Sequence, residues 1–400
     1  MGSRSMREMP AFLRKRFEAY RDVRVARDWG GRNIFCSRLA RSDDLVLMSN
    51  DYLAISSHPK LIERQCEALR SHGLGVMMSP IYVENEASPA AERAIAKAVG
   101  FGEGIFTQSG YAANVGLIEA LAGMDVPVYI DQRAHASMHM GVRSAKAKSM
   151  VFPHNDVPHL AASIREHGPG VIAIDSLYSA EGDIAPLSAI AEVSISNECV
   201  LVVDESHALG VYGTSGEGLV ASLALTDQVD FITASLAKAY CCRAGYIASP
   251  EDFRSYFGIH SMPAIFSSTL LPHDAASIAA AHEVVVQEAW RRDRLFEIVG
   301  AVRKALCRLG YPVASSGSQI VSLEVGTDAA AARVRDVLMG HGIFAALFTP
   351  PATPRNRSLV RLSLHAGLTD ENVSCVVYAF GARHAELAPQ AWSSRSAHLH

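Results

Sequence analysis

The 400-residue sequence lacks any long apolar run. Its apolar stretches, such as residues 199–203, have the length of a strand and fall far short of the roughly 20 residues that a membrane-spanning helix needs. Residues 1–20 are rich in Arg and Glu and lack the apolar centre of a secretory signal. We therefore expect no membrane span and no export.

The sequence also lacks an excess of either charge and any cysteine motif. Its 37 Lys and Arg residues nearly balance 41 Asp and Glu residues without long runs of one sign. Nothing in this balance indicates binding to nucleic acid or to an anionic membrane. The seven cysteines are odd in number, scattered, and without CxxC or Cys/His ligand spacing. They favour a reducing cytoplasm and predict no structural zinc site.

What the sequence has is a large apolar fraction in an alternating arrangement. Hydrophobic residues make up 49% of the chain, which allows a large core and favours two domains. Between about residues 102 and 249, continuous Val/Ile runs alternate with helical patterns, which is typical of strands covered on both faces. The strands are predicted at residues 104–107, 126–130, 170–174, 199–203 and 231–233.

Polar residues stand at the ends of several of these runs, namely Asp131, Asp175, Asp204 and Ser235. In an open parallel sheet the carboxyl ends of the strands line the ligand crevice, so these side chains are predicted to belong to one site. The region is interpreted as one large α/β domain with a mostly parallel sheet.

The pattern changes after Pro272. Residues 273–309 are nearly continuous helix pattern, followed by strand patterns at 319–325 and 359–364 around a helix at 329–341, which predicts a smaller C-terminal α+β domain. The proline-rich residues 350–354 are predicted to be a loop. The predicted domains are an N-terminal helical segment at 1–45, a large domain at 46–285, a small domain at 286–388 and a mobile tail at 389–400.

Three residues in order suggest pyridoxal 5′-phosphate (PLP) chemistry. A PLP enzyme needs a carboxylate that keeps the pyridine nitrogen protonated and a lysine that holds the aldehyde as a Schiff base. Asp204 ends one predicted strand, and Lys238 follows another that carries hydroxyls at Thr233 and Ser235 for the phosphate. His207 is placed to hydrogen-bond the ring hydroxyl.

Each of these features has a simpler explanation when it is taken alone. Residues 204–207 could belong to a metal cluster, but no third ligand follows by spacing. A single lysine after a strand is usually a surface charge. A serine hydrolase is disfavoured because the chain has no Gly-x-Ser-x-Gly motif. A non-enzymatic binding module would be expected to have lost Lys238 or Asp204, so the ordered set favours a PLP enzyme.

A second cluster at residues 108–114 follows a predicted strand and opens a helix pattern. Free amides at a helix N-terminus bind phosphate, and Gly110 lets the backbone approach closely. An ordinary strand-to-helix turn explains the same motif about equally well. His135, shortly after Asp131, would be an unremarkable loop histidine alone but could stack on a PLP ring.

The order of these motifs resembles the α-oxoamine synthases, which join amino acids to acyl thioesters. The resemblance covers about residues 45–380 and rests on residues 49–53, 109–114, 175–179, 204–207, Lys238, 266–270 and 360–363. It implies PLP-dependent fold type I, like aspartate aminotransferase, and a homodimer with active sites at the interface. It also implies a reaction that needs no metal.

The resemblance assigns roles by position. Asp204 would pair with the pyridinium, His207 and Ser179 would lie near the ring hydroxyl, and His135 would stack on the ring. The set implied to hold the cofactor comprises Ser109, Gly110, Tyr111, Asp175, Ser179, Asp204, His207, Ser235 and Lys238, with Ser268 and Thr269 from the partner subunit. Arg361, helped by Asn50, would bind the amino-acid carboxylate, because a guanidinium fork suits a carboxylate. The catalytic set would be Lys238, Asp204, His207 and His135.

Two departures from the family pattern narrow the prediction. The usual Gly-Ser-Arg stretch is replaced by residues 75–85, and the glycine-rich segment after the lysine by residues 239–245. Both are similar to the quorum-sensing α-hydroxyketone autoinducer synthases. That branch implies a medium- or long-chain acyl-CoA and S-adenosylmethionine or 2-aminobutyrate as donors. The alternative is a primary-metabolic member of the family that uses alanine or glycine.

An acyl chain would need an apolar tunnel. Met77, Met78, Ile81, Leu270 and Leu271 are candidates to line it, although such residues are more often ordinary core.

Overall fold

The computed structural model describes residues 9–35, 38–75, 77–82, 88–313 and 317–392. The strands in these ranges are β1 Leu45–Leu47, β2 Glu103–Thr107, β3 Val128–Asp131, β4 Ser149–Phe152, β5 Val171–Asp175, β6 Val200–Asp204, β7 Phe231–Ser235, β8 Gly245–Ser249, β9 Ile320–Gly326, β10 Ile343–Phe348 and β11 Ser358–Ser363. Residues 393–400 of the predicted tail lie outside the described ranges.

The α-helices in the same ranges are α1 Ala11–Ala19, α2 Pro59–His72, α3 Ser88–Val99, α4 Gly110–Leu121, α5 Ala136–Ser144, α6 Val157–His167, α7 Leu187–Ser196, α8 Leu219–Ser222, α9 Phe253–His260, α10 Met262–Ile265, α11 Pro272–Gln287, α12 Trp290–Arg308, α13 Asp328–Gly340, α14 Asp370–Ala382 and α15 His384–Leu387. A π-helix, Tyr20–Asp28, continues α1, and 3-10 turns occur at Thr226–Gln228 and Pro389–Ala391.

The described strands of the larger sheet follow the order β2-β8-β7-β6-β5-β3-β4, and every strand except β8 runs parallel to the others. Alternate residues of β5 belong to different cores, with Val171 and Ala173 on one face and Ile172 and Ile174 on the other. Both faces are therefore buried, which is why the strand sequences are continuous apolar runs. The predicted, mostly parallel α/β sheet is confirmed.

A smaller sheet, with the order β1-β10-β11-β9, is formed largely by the C-terminal part of the chain. Its first strand comes from far upstream, since Leu45–Leu47 pairs in parallel with residues 343–345 of β10. Side chains of β9 and β11 join the same buried core as those of β5 and β6. The small sheet thus packs beside the large one, and residues near 50 are carried to the boundary between them.

The prediction of nearly continuous helix over residues 273–309 is wrong in one detail. The segment forms α11 and α12, with a break at Glu288, whose backbone dihedrals are φ −105 and ψ 56. The Glu288 carboxylate accepts hydrogen bonds from Arg291 at 2.7 Å and pairs with His58 at 3.1 Å. The residues on both sides of Glu288 are good helix formers, so the sequence pattern gave no indication that the helix is interrupted there.

In the described ranges, no helix is both long and apolar enough to cross a membrane. The same ranges contain no group of three or more His, Cys, Asp or Glu side chains that could hold a metal ion.

Candidate active site

A cavity of about 220 Å³ opens at the carboxyl ends of the parallel strands. Its walls are Ser109, Gly110, Tyr111, Asn114, His135, Asp175, Asp204, Ser206, His207, Ser235 and Lys238. All of these except Asn114 and Ser206 were predicted from the sequence. Strands far apart in sequence converge here because the carboxyl ends of parallel strands share one edge of the sheet.

Asp204 is held at the floor of the cavity by two hydrogen bonds. Its Oδ2 accepts from Nδ2 of Asn114 at 2.6 Å, and its Oδ1 accepts from the backbone N–H of Ser206 at 2.7 Å. Thr233 in turn donates to Oδ1 of Asn114 at 2.6 Å. Asn114 was not identified as a site residue from the sequence. The available signal was an asparagine within the apolar pattern of α4, where it is buried and needs hydrogen-bond partners.

Asp175 lies beside Asp204, because the two are directly paired in the β5/β6 register. Burial, together with the negative charge of Asp204, raises the pKa of Asp175 well above its usual value. This shift favours the protonated form of Asp175 beside the Asp204 carboxylate. Oδ2 of Asp175 accepts from the backbone N–H of His135 at 2.8 Å and fixes the start of α5.

His135 faces the cavity from the N-terminus of α5. Its Nδ1 lies 2.6 Å from the Ser137 hydroxyl, which also accepts from Asn114 at 2.9 Å. Burial lowers the pKa of His135, which favours a neutral ring. The neutral, oriented imidazole therefore forms part of the cavity wall.

His207 is the most deeply buried imidazole of the cavity. Its Nδ1 lies 2.6 Å from the Tyr52 hydroxyl, and its carbonyl accepts from Gln319 at 2.8 Å. Burial, followed by the positive charge of Lys238, lowers its pKa well below the usual value. Tyr52 and Gln319 were not identified from the sequence, because both reach the site from outside the parallel sheet.

The Lys238 amine makes no hydrogen bond or ion pair with any described residue, yet its side chain projects into the cavity. Burial lowers its pKa, although the nearby Asp204 carboxylate opposes this effect. The following turn is tight: Cys241, at φ 53, donates its N–H to the Lys238 carbonyl at 2.9 Å. The lysine is thus anchored at its backbone and free at its amine.

Gly110 brings the start of α4 against the end of β7. A Cβ at this position would lie 2.6 Å from Cβ and 2.8 Å from Cα of Ser235, which leaves room for no residue but glycine. The Ser109 side chain caps the helix by accepting from the Ala112 N–H at 3.1 Å. The amides of the first turn are therefore presented beside Ser235, as a phosphate site requires.

A second polar cluster joins Asn50, Ser179 and Arg361 next to the cavity. Arg361 donates from Nη1 to the Ser179 carbonyl at 2.6 Å and from Nη2 to Oδ1 of Asn50 at 3.0 Å. Its side chain is 4% exposed, its Nε has no hydrogen-bond partner, and it pairs with no carboxylate among the described residues. A buried, unpaired guanidinium favours an anionic ligand.

Ser268 and Thr269 do not line this cavity within one chain. The Ser268 carbonyl accepts from Gln108 at 2.5 Å, and the Thr269 N–H donates to the Met78 carbonyl at 2.8 Å.

A larger cavity of about 410 Å³ adjoins the phosphate end of the first. Thr107 and Gln108 line it, and the next residues, Ser109 and Gly110, line the smaller one. Its walls are mostly apolar, with side chains from the segment at 80–82, from α9 and from α3. Ile81 and Leu270 of the predicted tunnel line it, whereas Met77, Met78 and Leu271 do not.

Comparisons with known proteins agree with this geometry. The family of aminotransferases of class I and II matches residues 42–380. The CAI-1 autoinducer synthase of Vibrio campbellii is 38% identical over 372 residues, which cover 93% of this chain and 94% of the relative. The 8-amino-7-oxononanoate synthase of Mycolicibacterium vanbaalenii is 32% identical over 335 residues, with coverages of 83% and 87%.

This chain belongs to the α-oxoamine synthases. A solved structure of serine palmitoyltransferase from S. paucimobilis with a bound PLP–myriocin adduct has the same fold, with a TM-score of 0.86 at 24% identity and coverages of 94% and 98%. The predicted family, fold type I and PLP cofactor are confirmed. The protein is a PLP-dependent enzyme of the acyltransferase type.

The residues of this α-oxoamine synthase fit PLP. The cavity offers a free lysine amine for the aldehyde, a carboxylate at Asp204 for the ring nitrogen, and helix amides beside Gly110 for the phosphate.

Proposed function

We propose that this enzyme joins an amino acid, S-adenosylmethionine or 2-aminobutyrate, to a medium- or long-chain acyl-CoA. The amino-acid Cα would bond to the acyl carbonyl, with loss of CoA and carbon dioxide. The product would be an aminoketone precursor of an α-hydroxyketone quorum-sensing signal. The 38% identity to a CAI-1 autoinducer synthase over nearly the whole chain supports this proposal.

The observation that carries the proposal is a free lysine amine next to an unpaired, buried arginine. Lys238 supplies the amine, and Arg361 supplies a positive charge with an unused Nε donor. An α-amino acid suits both residues, because its amino nitrogen and its carboxylate are attached to the same carbon. Arg361 and Asn50 would hold the carboxylate and thereby orient the Cα–H bond toward Lys238.

PLP, when bound, supplies an electron sink for the charge left on the substrate carbon. Asp204 would hold a proton on the ring nitrogen, and its hydrogen bonds from Asn114 and Ser206 keep the carboxylate aimed at the cavity. The raised pKa of Asp175 favours its neutral form, which places no second negative charge beside the Asp204 carboxylate. His135 would stack on the ring, and His207 and Ser179 would lie near the ring hydroxyl.

Lys238 would act as the base that removes the Cα proton and later returns it. Burial lowers the pKa of its amine, so a larger fraction is neutral near pH 7 than for an exposed lysine. The phosphate would be held at the end of the cavity where α4 begins, by Ser109, Gly110, Tyr111 and Ser235, together with Ser268 and Thr269 of a second subunit.

We infer that the acyl chain occupies the larger cavity. Its volume of about 410 Å³, its apolar walls and its position beside Gln108 suit a medium-length alkyl chain better than a short or charged acyl group. Arg254 lies on its wall and pairs with Glu92 at 2.8 Å and with Glu103 at 3.1 Å. Among the described residues of the wall, no unpaired basic side chain is thus available to bind a terminal acyl carboxylate.

We also propose a homodimer in a reducing cytoplasm. The segment at 77–82 contacts the segment at 264–269 and leaves large apolar side chains exposed, such as Tyr82 and Phe266 at 76% and 78%. A second copy of the chain is the occupant that we expect to cover them. The described cysteines are all unpaired, which supports a reducing compartment.

The test is product analysis by mass spectrometry. PLP-loaded enzyme is incubated with acyl-CoAs of graded length and, in parallel, with S-adenosylmethionine, 2-aminobutyrate, glycine, alanine or serine. An aminoketone from either of the first two donors supports the proposal and gives the chain length. A product from glycine, alanine or serine alone would contradict it and favour a primary-metabolic α-oxoamine synthase.

A further inference from the structure

Tyr52 lies between the carboxylate-binding residues and the cofactor cavity. Its side chain is fully buried, and its hydroxyl lies 2.6 Å from Nδ1 of His207 and 3.2 Å from Oδ1 of Asn50. The same Asn50 oxygen accepts from Nη2 of Arg361 at 3.0 Å. A row of polar groups at hydrogen-bond distance therefore runs from the guanidinium, through the Asn50 oxygen and the Tyr52 hydroxyl, to the imidazole.

Few protons are available to the Tyr52 hydroxyl and the His207 ring. Burial, together with the positive charges of Lys238 and Arg361, lowers the pKa of His207 well below its usual value, which favours a neutral ring with one N–H. Burial raises the pKa of Tyr52, so the hydroxyl keeps its proton. The single hydroxyl proton can be donated to only one neighbour at a time.

The choice of neighbour determines which nitrogen of His207 is protonated. If the hydroxyl donates to Nδ1, the ring proton must be on Nε2. If it donates to Asn50 instead, Nδ1 carries the proton and donates to the hydroxyl oxygen. The distance of 2.6 Å to Nδ1 against 3.2 Å to Asn50, whose oxygen already accepts from Arg361, favours the first arrangement.

The second nitrogen of His207 has no partner among the described residues that would compete for its proton. Nε2 makes no hydrogen bond in the part of the chain that the structure describes, and His207 lines the cavity. With its proton on Nε2, the imidazole is a donor toward any oxygen placed there.

We propose that Tyr52 is a positioning residue that keeps the proton of His207 on Nε2, so that the imidazole donates to the ring hydroxyl oxygen of PLP. Arg361 contributes by occupying the Asn50 oxygen, which leaves the tyrosine proton to His207. This inference rests on the proposed placement of PLP in the cavity. It does not depend on which amino acid or acyl-CoA the enzyme uses.

The test replaces Tyr52 by phenylalanine, which retains the buried ring and removes the hydroxyl. The visible absorbance of PLP-loaded protein is recorded across a pH series. A donor at the ring oxygen stabilises its deprotonated form, so weakening the donor should move the absorbance midpoint to higher pH by roughly one unit. The titratable and charged neighbours are the same in both proteins, namely Lys238, Arg361, His135, Asp204 and Asp175. A midpoint equal to that of the unmodified protein would overturn the inference.

Tyr311→Phe is the matched control. The Tyr311 hydroxyl is also buried and donates to the Phe380 carbonyl at 2.8 Å, but it lies in the C-terminal part, away from the cavity. This variant should lose a similar amount of thermal stability and keep the midpoint unchanged. In a His207→Asn background, Tyr52→Phe should cause no additional shift, and an additive shift would show that Tyr52 does not act through His207.

A measurement without a Tyr52 variant tests the same point. Nitrogen-15 NMR of histidine-labelled, PLP-loaded protein distinguishes protonated from unprotonated ring nitrogens, and the His207→Asn variant assigns the signals. We expect the proton on Nε2 and a bare Nδ1, and the reverse assignment would overturn the inference. Because no acyl-CoA is used, a failed product assay and a failed inference are distinguishable.

Discussion

Two basic residues, the partly buried Lys238 and the buried Arg361, determine what the cavity can bind. Neither has a carboxylate partner among the described residues. A buried lysine can relieve the cost of its charge by losing a proton, whereas an arginine stays charged at any ordinary pH. The lysine is therefore suited to nucleophile and base, and the arginine to anion recognition.

Replacing Lys238 with alanine should abolish both the visible absorbance shift on adding PLP and the turnover, because no other amine projects from the described walls of the cavity. Absorbance titration and product assay measure the two effects. Lys97→Ala, on the exposed face of α3, should change neither. Normal turnover by the Lys238 variant would exclude the assigned role.

Replacing Arg361 with alanine should raise the amino-acid KM by about 100-fold, or about 2.7 kcal/mol, because charged hydrogen bonds to the carboxylate are lost. The KM for acyl-CoA should stay within about twofold, since ordinary context effects are of that size. Steady-state kinetics with each substrate varied in turn measure both. Arg357→Ala, which removes a partly exposed pair with Glu324 at 2.7 Å, is the control. Equal effects on the two substrates would contradict the assignment.

At the scale of elements, the site depends on how closely α4 approaches β7. Gly110→Ala would place a methyl group 2.6 Å from Ser235 and separate two phosphate-binding elements. The dissociation constant for PLP should rise by about tenfold or more, as equilibrium titration would show. Gly300→Ala, in α12 with no atom within 4 Å of the added carbon, should leave PLP binding unchanged and stabilise the helix. Unchanged PLP affinity of the Gly110 variant would exclude the close-approach argument.

The short helix α8 depends on the buried carboxyl group of Glu205. Its Oε1 accepts from the backbone N–H groups of Leu219 and Val220 at 2.8 and 3.0 Å. Burial raises the pKa of Glu205 from 4.5 to about 7. The folded protein therefore holds a proton that the unfolded chain releases above pH 4.5, and the associated stability is lost as the pH rises from about 4.5 to about 7.

Glu205→Gln should flatten this part of the pH dependence, because an amide keeps the acceptor oxygen without the titrating proton. Near pH 7 the variant should be more stable than the unmodified protein, by on the order of 2 kcal/mol. Chemical denaturation at several pH values measures the difference. Glu192→Gln, on the exposed side of α7, should leave the profile unchanged. An unaltered slope in the Glu205 variant would contradict the burial argument.

In the whole molecule, the proposed dimer has active sites that each contain residues from both chains. Ser268 and Thr269 lie outside the cofactor cavity of their own chain, so we expect them to act in the partner's site. The exposed apolar side chains around them provide the surface for this contact.

Mixing two inactive variants tests the shared site. A Lys238→Ala chain paired with a Ser268→Ala/Thr269→Ala chain forms one site with all of its residues intact. Activity should return on subunit exchange, with sedimentation analysis showing particles of twice 43.0 kDa. Each variant mixed with itself is the control. A mixture that stays inactive while dimers form would contradict the shared site.

Much of the fold could be predicted because its signals are local. The apolar runs that became β5 and β6 identify strands buried on both faces, and their terminal Asp175 and Asp204 identify the edge of the sheet that carries the site. Strands β1, β4, β8 and β10 were not predicted. Strand β4 is a partly exposed edge strand without a continuous apolar run, whereas β10 is an apolar run that lies inside the small sheet, between β1 and β11. The break at Glu288 was missed because contacts with Arg291 and His58 make it.

The cofactor chemistry could be predicted from the sequence, because Asp204, His207 and Lys238 are adjacent to strand ends, and order along the chain is enough to bring strand ends together. The polar groups that complete the site from outside the sheet could be identified only once the chain was folded. Tyr52 and Gln319 reach His207 from segments 155 and 112 residues away. No periodicity or spacing encodes such contacts, because they follow from how the two sheets pack against one another.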